Sequence, residues 1–201
     1  MKLYYAPNTR AHRPRWLLEE LGVPYELVRL DVKSQENRQE AYLAVNPLGH
    51  VPALHDGEVT LIESGAICLH LADKFPEKRL APKPGTAQRG QYYQWVVFAL
   101  TSLEPQVALY ENHVKRLPED QRDPRAAERA KARLHELCAV VDKAVTGREY
   151  LVGDGFTVAD LLVSAVLGWA RFAGVLPDLP GLVEYSKRIA GRPAAKRARE
   201  D

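Results

Sequence analysis

Strand and helix signals alternate through residues 1–75 of this 201-residue chain, and strand signals then stop. Residues 3–5 and 25–30 are predicted strands. The residues between them, 13–21, have the apolar spacing of a helix that Gly22 ends. A strand, a helix and a strand in that order predict a parallel pair with a right-handed crossover. This order restricts the chain to folds with a mixed or parallel sheet.

Four further elements are predicted before residue 76: a short helix at 36–45, strands at 53–55 and 59–61, and a helix at 64–75. Asp56-Gly57 between the two strands is a hairpin turn signal, so these strands are expected to be antiparallel. The predicted order is βαβ, a helix, ββ and a helix. We therefore predict that residues 1–77 form a thioredoxin-like α/β domain with a four-stranded mixed sheet.

The remainder of the chain reads as helical after a break that is rich in proline and glycine. Residues 78–87 are predicted to be a linker, since Pro76, Pro82, Pro84 and Gly85 punctuate this region. Helical periodicity follows at 89–114, 125–145, 158–172 and 182–190. Residues 88–201 are thus predicted to be an all-α helical-bundle domain. Within it, Thr157-Val-Ala-Asp160 has the pattern of a capping box, which assigns Asp160 to helix capping.

Composition excludes several classes of function. The net charge is +2 and basic residues alternate with acidic ones, so we expect no nucleic-acid partner. No apolar run approaches the ~20 residues of a membrane span, and a strand begins directly after Met1, so neither a membrane anchor nor a signal peptide is expected. Cys68 and Cys138 are too few and too distant for a disulfide framework or a metal set. We expect a cytoplasmic protein without a metal.

Two neighbouring segments, 46–54 and 61–67, suggest a binding site for a small extended peptide. Val51 precedes Pro52 and is biased to an extended backbone, so its N–H and C=O could pair with a peptide as an added strand does. Glu63 and Ser64 stand where a helix begins, and free backbone donors there can bind an anion. The structural alternatives are a strand-entry proline, a simple helix cap and a favourable first-turn charge.

Five motifs, in this order and at these spacings, resemble the cytosolic glutathione transferase family over nearly the whole chain: Tyr5-Ala6-Pro7, Trp16 to Gly22, Asn46 to Leu54, Glu63-Ser64 and Thr157 to Asp160. The resemblance implies a homodimer that uses glutathione as co-substrate, needs no metal and conjugates the thiolate to small apolar electrophiles. It also implies a cis Val51-Pro52 bond.

The same resemblance implies a role for each residue of the peptide site. Ser64 would bind the γ-glutamyl carboxylate of glutathione, and Glu63 would bind the ammonium group beside it. The backbone of Val51, followed by Pro52, would pair with the cysteinyl residue. His50 occupies a position that is usually Lys, Gln or Arg in relatives, and it is expected to hydrogen-bond the ligand.

Two hydroxyls compete for the catalytic role of holding glutathione as thiolate. Lowering the thiol pKa by two units requires about 2.7 kcal/mol of preferential stabilisation of the anion. By the same resemblance, Thr9 matches the serine of the serine-type classes and Tyr5 the tyrosine of the tyrosine-type classes. Thr9 is favoured, because a helix N-terminus follows it and because Tyr5 also occurs in cysteine-type relatives, where it is not the main catalytic residue. The position of the cysteine-type nucleophile is Arg10, which could add positive potential or be surface charge.

The electrophile pocket is expected between the two domains. Its candidates are Asn8, Trp95, Phe98 and Thr101, although an aromatic stripe at helical spacing also fits a core. The sequence leaves the electrophile open. The same site could serve a peroxidase, a dehalogenase or an isomerase, or a non-catalytic or transcription-associated glutathione-binding protein. The absence of a Cys-x-x-Cys motif argues against a disulfide reductase of the thioredoxin kind.

Overall fold

The computed structural model describes residues 1–200, and these form two compact units. The first unit comprises residues 1–81 together with 192–200, and the second comprises Pro82–Gly191. The C-terminal residues 192–200 therefore belong with the α/β unit, whereas the sequence analysis grouped them with the helical domain.

The first unit contains a four-stranded mixed sheet with strand order β2-β1-β3-β4. Its strands are β1 (Lys2–Tyr5), β2 (Glu26–Arg29), β3 (Ala53–Asp56) and β4 (Val59–Ile62). β1 and β2 are parallel, whereas β3 is antiparallel to both β1 and β4. The sheet and the helices around it confirm the predicted thioredoxin-like arrangement.

Four α-helices belong to this unit: α1 (His12–Leu21), α2 (Glu40–Leu43), α3 (Ser64–Lys74) and α9 (Pro193–Arg197). Short 3-10 helices cover Glu36–Arg38 and Pro76–Lys78. The prediction of one helix at 36–45 is wrong, because Gln39 has extended backbone (ψ 149°) and separates the 3-10 helix from α2. α1 and α3 pack against each other and against strands of the sheet, and both helices bury leucine or isoleucine side chains.

The C-terminal helix α9 packs on α1 through paired charges. Arg192 donates two hydrogen bonds, of 2.7 and 2.8 Å, to the carboxylate of Glu20. Arg197 donates to Glu19 at 2.8 Å. Sequence periodicity missed this helix because it has only five residues, too few to produce an apolar stripe. The α1 helix is thus held on one side by the C-terminal segment.

The second unit is helical: α4 (Ala87–Val97), α5 (Glu104–Glu111), α6 (Pro124–Val145), α7 (Val158–Phe172) and α8 (Pro180–Ala190). A short 3-10 helix covers Glu119–Gln121, and π-helical segments cover Phe98–Leu103 and Asn112–Arg116. The predicted helix at 89–114 is therefore divided. Pro105 explains the first interruption, because proline removes a backbone donor and crowds the preceding turn. Among residues 1–200, no helix has the length and apolar character to cross a bilayer.

The capping box at α7 is present as predicted. Asp160 is fully buried and accepts hydrogen bonds from the N–H (2.9 Å) and the hydroxyl (3.0 Å) of Thr157. Its other oxygen accepts from the Leu151 N–H at 2.9 Å and the Tyr185 hydroxyl at 3.0 Å. One carboxylate therefore joins the start of α7 to the loop before it and to α8.

Candidate functional site

The sheet register brings three predicted site segments to the same end of the sheet. Tyr4 of β1 pairs with Ala53 of β3, and Ala53 pairs with Ile62 of β4. The loop after β1, the Val51-Pro52 step before β3 and the Glu63-Ser64 step after β4 consequently lie at the same end of the sheet. Helices α1 and α3 both begin there. Two helix N-termini thus converge at this end of the sheet, which we name the convergent edge. Each has backbone N–H groups without an intrahelical acceptor.

A hydrogen bond between α1 and α3 marks the centre of this convergence. The Arg13 Nη1 donates to Ser64 Oγ over 3.2 Å, and both residues are only 4% exposed. The guanidinium, the hydroxyl and the N-terminus of α3 all favour negative charge. Glu63 is exposed next to Ser64 and has a positive φ of 73°. The arrangement can therefore bind a carboxylate and an ammonium group side by side.

The Val51-Pro52 step provides backbone groups for an extended ligand. Its peptide bond is cis, as the family resemblance implied. The β1–β3 register ends at the Tyr4–Ala53 pair, so Val51 lies beyond the last paired residues. Val51 is partly exposed, whereas Pro52 is buried. An extended peptide can pair with the backbone at this position as an added strand does.

Side chains from the two preceding helices and from the loop itself hold the backbone at His50. The hydroxyl of Tyr42 and the Nδ2 of Asn46 each donate to the His50 carbonyl over 2.6 Å. Asn37 Nδ2 donates to the Gly49 carbonyl over 2.6 Å. The His50 side chain itself is exposed. The sequence analysis gave Asn46 no role of its own within segment 46–54, although an Asn-Pro-x-Gly pattern also indicates a turn bonded by the asparagine side chain.

We expect Gly49→Ala to destabilise this loop. Gly49 has a φ of +61°, and an added Cβ would lie 2.8 Å from both the Asn37 carbonyl oxygen and Arg38 Nη1. Gly57→Ala is the matched control, since Gly57 has a φ of +64° and no atom within 4 Å of the added Cβ. We expect the free energy of unfolding in urea to fall by about 1 kcal/mol for the control and about 2 kcal/mol for Gly49→Ala. Equal losses would contradict the close approach.

Thr9 closes the turn between β1 and α1. Its hydroxyl donates to the Ala6 carbonyl over 2.6 Å and accepts from the Ala11 N–H over 3.2 Å. Its neighbours Asn8 and Arg10 are exposed, and Asn8 has a left-handed φ of 56°. A hydroxyl has one proton to donate. A ligand sulfur at this position would therefore compete with the Ala6 carbonyl for that proton.

Tyr5 is packed in the interior of the first unit. Its ring is 4% exposed, and the Arg15 guanidinium lies over it at 4.8 Å from the centroid. Alternation along β1 places Tyr5 on the same face as the buried Leu3. Of the two candidate hydroxyls, the one on Thr9 lies in the loop at the convergent edge, whereas the Tyr5 ring packs beneath α1.

His12, the first residue of α1, is a histidine that the sequence analysis did not consider. Its ring packs against Trp16 at 5.9 Å between centroids. Within residues 1–200, its buried Nε2 has no hydrogen-bond partner. Burial, together with the charges of Arg199, Arg15 and Arg13, lowers the pKa of His12 from 6.5 to about 4. The imidazole is therefore neutral in the folded protein at neutral pH.

This lowered pKa predicts a loss of stability in acid. Between the folded and the unfolded pKa of His12, the unfolded chain binds the proton more readily, so stability falls as pH falls. From about pH 7 to about pH 5, we expect His12 to account for about 2 kcal/mol of lost unfolding free energy. Urea unfolding of His12→Gln should lack this part of the pH dependence, whereas the exposed control His55→Gln should retain it. Identical profiles for the two variants would refute the assignment.

The predicted electrophile residues occupy different environments in the helical unit. Trp95 is buried and packs edge-on against Phe98, with 5.4 Å between ring centroids. Phe98 and Thr101 line an open surface groove along α4 and the following π-helical segment. Thr101 donates its hydroxyl to the Val97 carbonyl over 2.9 Å. The structure thus assigns Trp95 to the core and leaves Phe98 and Thr101 accessible.

Comparisons with known proteins agree on a family. The glutathione S-transferase N-terminal domain matches residues 1–73, and the C-terminal domain matches residues 99–193. Glutathione S-transferase GST-4.5 of Xanthomonas campestris is 32% identical over 90% of this chain and 87% of that protein. Disulfide-bond oxidoreductase YfcG of Escherichia coli is 29% identical over 98% of this chain and 93% of that protein. A sphingomonad glutathione S-transferase, solved in complex with glutathione, is 31% identical with a TM-score of 0.85 and covers 99% and 97% of the two chains.

Proposed function

Because this chain belongs to the cytosolic glutathione transferase family, we propose that it transfers the glutathione thiolate to small apolar electrophiles. The observation that carries this proposal is the anion site at the start of α3, where Arg13 and Ser64 are buried and hydrogen-bonded to each other. Glutathione has a free α-carboxylate and an α-ammonium on its γ-glutamyl end, which suit Ser64 and Glu63 respectively.

The remaining groups at the convergent edge fit the cysteinyl and later parts of glutathione. The cysteinyl residue of glutathione pairs with the backbone of Val51, in front of Pro52. The exposed His50 side chain hydrogen-bonds the ligand beyond this pair. This orientation directs the cysteinyl thiol toward the loop between β1 and α1, where Thr9 lies.

Thr9 then stabilises the thiolate by donating its hydroxyl hydrogen to sulfur, and the N-terminus of α1 adds a favourable field. Arg10 adds positive charge in the same loop. The thiol proton leaves to solvent, the sulfur attacks the electrophilic carbon to form a C–S bond, and the leaving group departs with its electron pair. Asn8, Phe98 and Thr101 are the accessible candidates for contacts with the electrophile.

Product analysis tests this reaction class. The protein is incubated with glutathione and a chloronitrobenzene, and separately with an organic hydroperoxide. A glutathione thioether and chloride, formed faster than without protein, support the transferase. Oxidised glutathione from the hydroperoxide alone would assign a peroxidase instead. Binding of glutathione without turnover on either substrate would indicate a non-catalytic role.

A second candidate is glutathione-dependent disulfide reduction, because one similar protein is named a disulfide-bond oxidoreductase. Cys68 and Cys138 are fully buried, and burial raises the pKa of each thiol to about 12. The thiols for such a reaction would therefore come from two glutathione molecules, which reduce one disulfide to two thiols and form oxidised glutathione. A small-molecule disulfide added to the assay above distinguishes this reaction by its thiol product.

We further propose a homodimer that detoxifies electrophiles in the cytoplasm. The face of α4 exposes Tyr93 at 46% and Val97 at 55%, which is apolar surface that a second copy could cover. Both cysteines are free, which fits a reducing compartment. Sedimentation over a range of concentrations tests the dimer, and cell fractionation tests the location.

A further inference from the structure

An aromatic side chain projects from the end of α7. Phe172, the last residue of α7, is 80% exposed, more than any other large hydrophobic residue of the described chain. The Lys115 Nζ lies 5.8 Å from its ring centroid. Val114, which precedes this lysine, is also exposed. A planar ring with one cation above it and the rest of its surface open to solvent is an unusual use of phenylalanine, since exposure of a large apolar side chain is unfavourable.

A second cation and a second ring lie beside the first pair. The Arg116 guanidinium is 5.4 Å from the Trp169 ring. Trp169 and Phe172 are three residues apart on α7, so they share one helix face. Lys115 and Arg116 are consecutive in the π-helical segment Asn112–Arg116, and π-helical turns often occur at functional sites. Two rings and two cations thus form one patch on the helical unit.

The two cations differ in their charge balance. Arg116 forms an ion pair of 2.7 Å with the largely buried carboxylate of Glu111. Lys115 has no carboxylate within ion-pair distance among residues 1–200, and its charged group lies over the Phe172 ring. The patch therefore offers an open aromatic face with an unbalanced positive charge at its border. Aromatic stacking and charge complementarity together favour a planar ligand with a negative group.

We propose that Lys115, Trp169 and Phe172 bind a planar aromatic anion, whose ring packs against the part of the Phe172 ring that Lys115 leaves open and whose carboxylate pairs with Lys115 beside it. This binding site goes beyond the proposed function, since its residues are not those proposed to contact glutathione or the electrophile. The binding itself does not depend on turnover and is measured separately. A neutral aromatic ligand would contact Phe172 but form no ion pair with Lys115. The lysine therefore provides the selectivity for anions over neutral ligands.

Equilibrium dialysis of the full chain against 4-nitrobenzoate and its neutral analogue 4-nitrobenzamide tests this site. We expect the anion to bind about threefold to fivefold more tightly, as suits one exposed ion pair, and the difference to shrink at high salt. Lys115→Gln should abolish the difference. Lys143→Gln, at an exposed lysine in the last turn of α6, should preserve it. Phe172→Ala should weaken both ligands about fivefold, as expected when a stacked ring is lost.

Equal affinities for the two ligands would overturn the proposal, and so would equal effects of Lys115→Gln and Lys143→Gln. Co-sedimentation with phosphatidylcholine vesicles containing phosphatidylserine tests the alternative that the patch binds a membrane surface. Binding to these vesicles that Phe172→Ala abolishes, without binding of nitrobenzoate, would assign the patch to a membrane surface instead. Anion binding by a protein that fails to turn over glutathione would contradict the proposed function but leave this site intact.

Discussion

Thr9→Val is expected to lower kcat/KM for glutathione conjugation about 100-fold, the loss typical of removing one donor from an anion-stabilising site. Valine keeps the branched shape of threonine and replaces the hydroxyl with a methyl group. Without that donor, the pKa of the bound thiol rises toward its free value of about 8.5. Ultraviolet titration of the thiolate in the binary complex measures this rise directly, and steady-state kinetics measure the rate.

Two further variants distinguish the Thr9 hydroxyl from the Tyr5 hydroxyl and from the shape of the Thr9 side chain. Thr9→Ser retains the donor and should stay within a few-fold of the wild type. Tyr5→Phe removes the competing hydroxyl and should change the rate little, because the ring lies in the core below Arg15. A large loss with Tyr5→Phe and a small one with Thr9→Val would reverse the assignment. A loss in Thr9→Val without a change in the thiol pKa would attribute the effect to the turn at Ala6.

Asp160→Ala is expected to reduce the free energy of unfolding by about 4 kcal/mol. The change leaves the N–H groups of Leu151 and Thr157 buried without an acceptor, at a cost of about 1–3 kcal/mol each. The hydroxyl of Tyr185 also loses its acceptor. Urea unfolding at neutral pH measures the loss. A protein of ordinary stability would be close to its unfolding threshold after this single change.

Asp154→Ala provides the matched control for this prediction, because Asp154 lies in the same loop and is exposed. Asp154→Ala should change the free energy of unfolding by no more than about 0.5 kcal/mol. Asp160→Asn should be intermediate, since the amide retains one acceptor oxygen but presents a donor to the other hydrogen-bonding partners. If Asp160→Ala and Asp154→Ala unfolded at the same urea concentration, the carboxylate would not be the group that joins α7 to the preceding loop.

Local patterns were sufficient to predict the sheet and most helices. The parallel pair β1–β2 and the antiparallel pair β3–β4 followed from the βαβ and hairpin signals, and α7 lies where the capping box and the apolar period placed it. The apolar patterns failed to predict where a helix is interrupted by a change in backbone geometry. Residues 36–45 break at Gln39, and the helix from α4 divides before Pro105. Neither break changes the count of apolar residues, so periodicity alone did not reveal it.

Candidate site residues could be predicted only where a local sequence pattern marks them. Val51, Glu63 and Ser64 could be chosen as candidates because each stands near a strand or helix terminus that the sequence marks. The contact between Arg13 and Ser64 joins residues 51 positions apart, so only the folded sheet reveals it. The same holds for Asn37, whose side chain supports the Gly49 carbonyl from a neighbouring 3-10 helix. Long-range support of this kind leaves no periodic trace in a single sequence.

The central claim is that the convergent edge of the sheet binds the γ-glutamyl end of a thiol peptide. Calorimetric titration with glutathione and with cysteinylglycine, which lacks that end, tests this claim most directly. We predict saturable binding of glutathione at one site per chain and at least about tenfold weaker binding of cysteinylglycine, since the charge-assisted hydrogen bonds at Ser64 and the ion pair with Glu63 are lost. Absence of heat with glutathione, or equal affinity for the two peptides, would contradict the account.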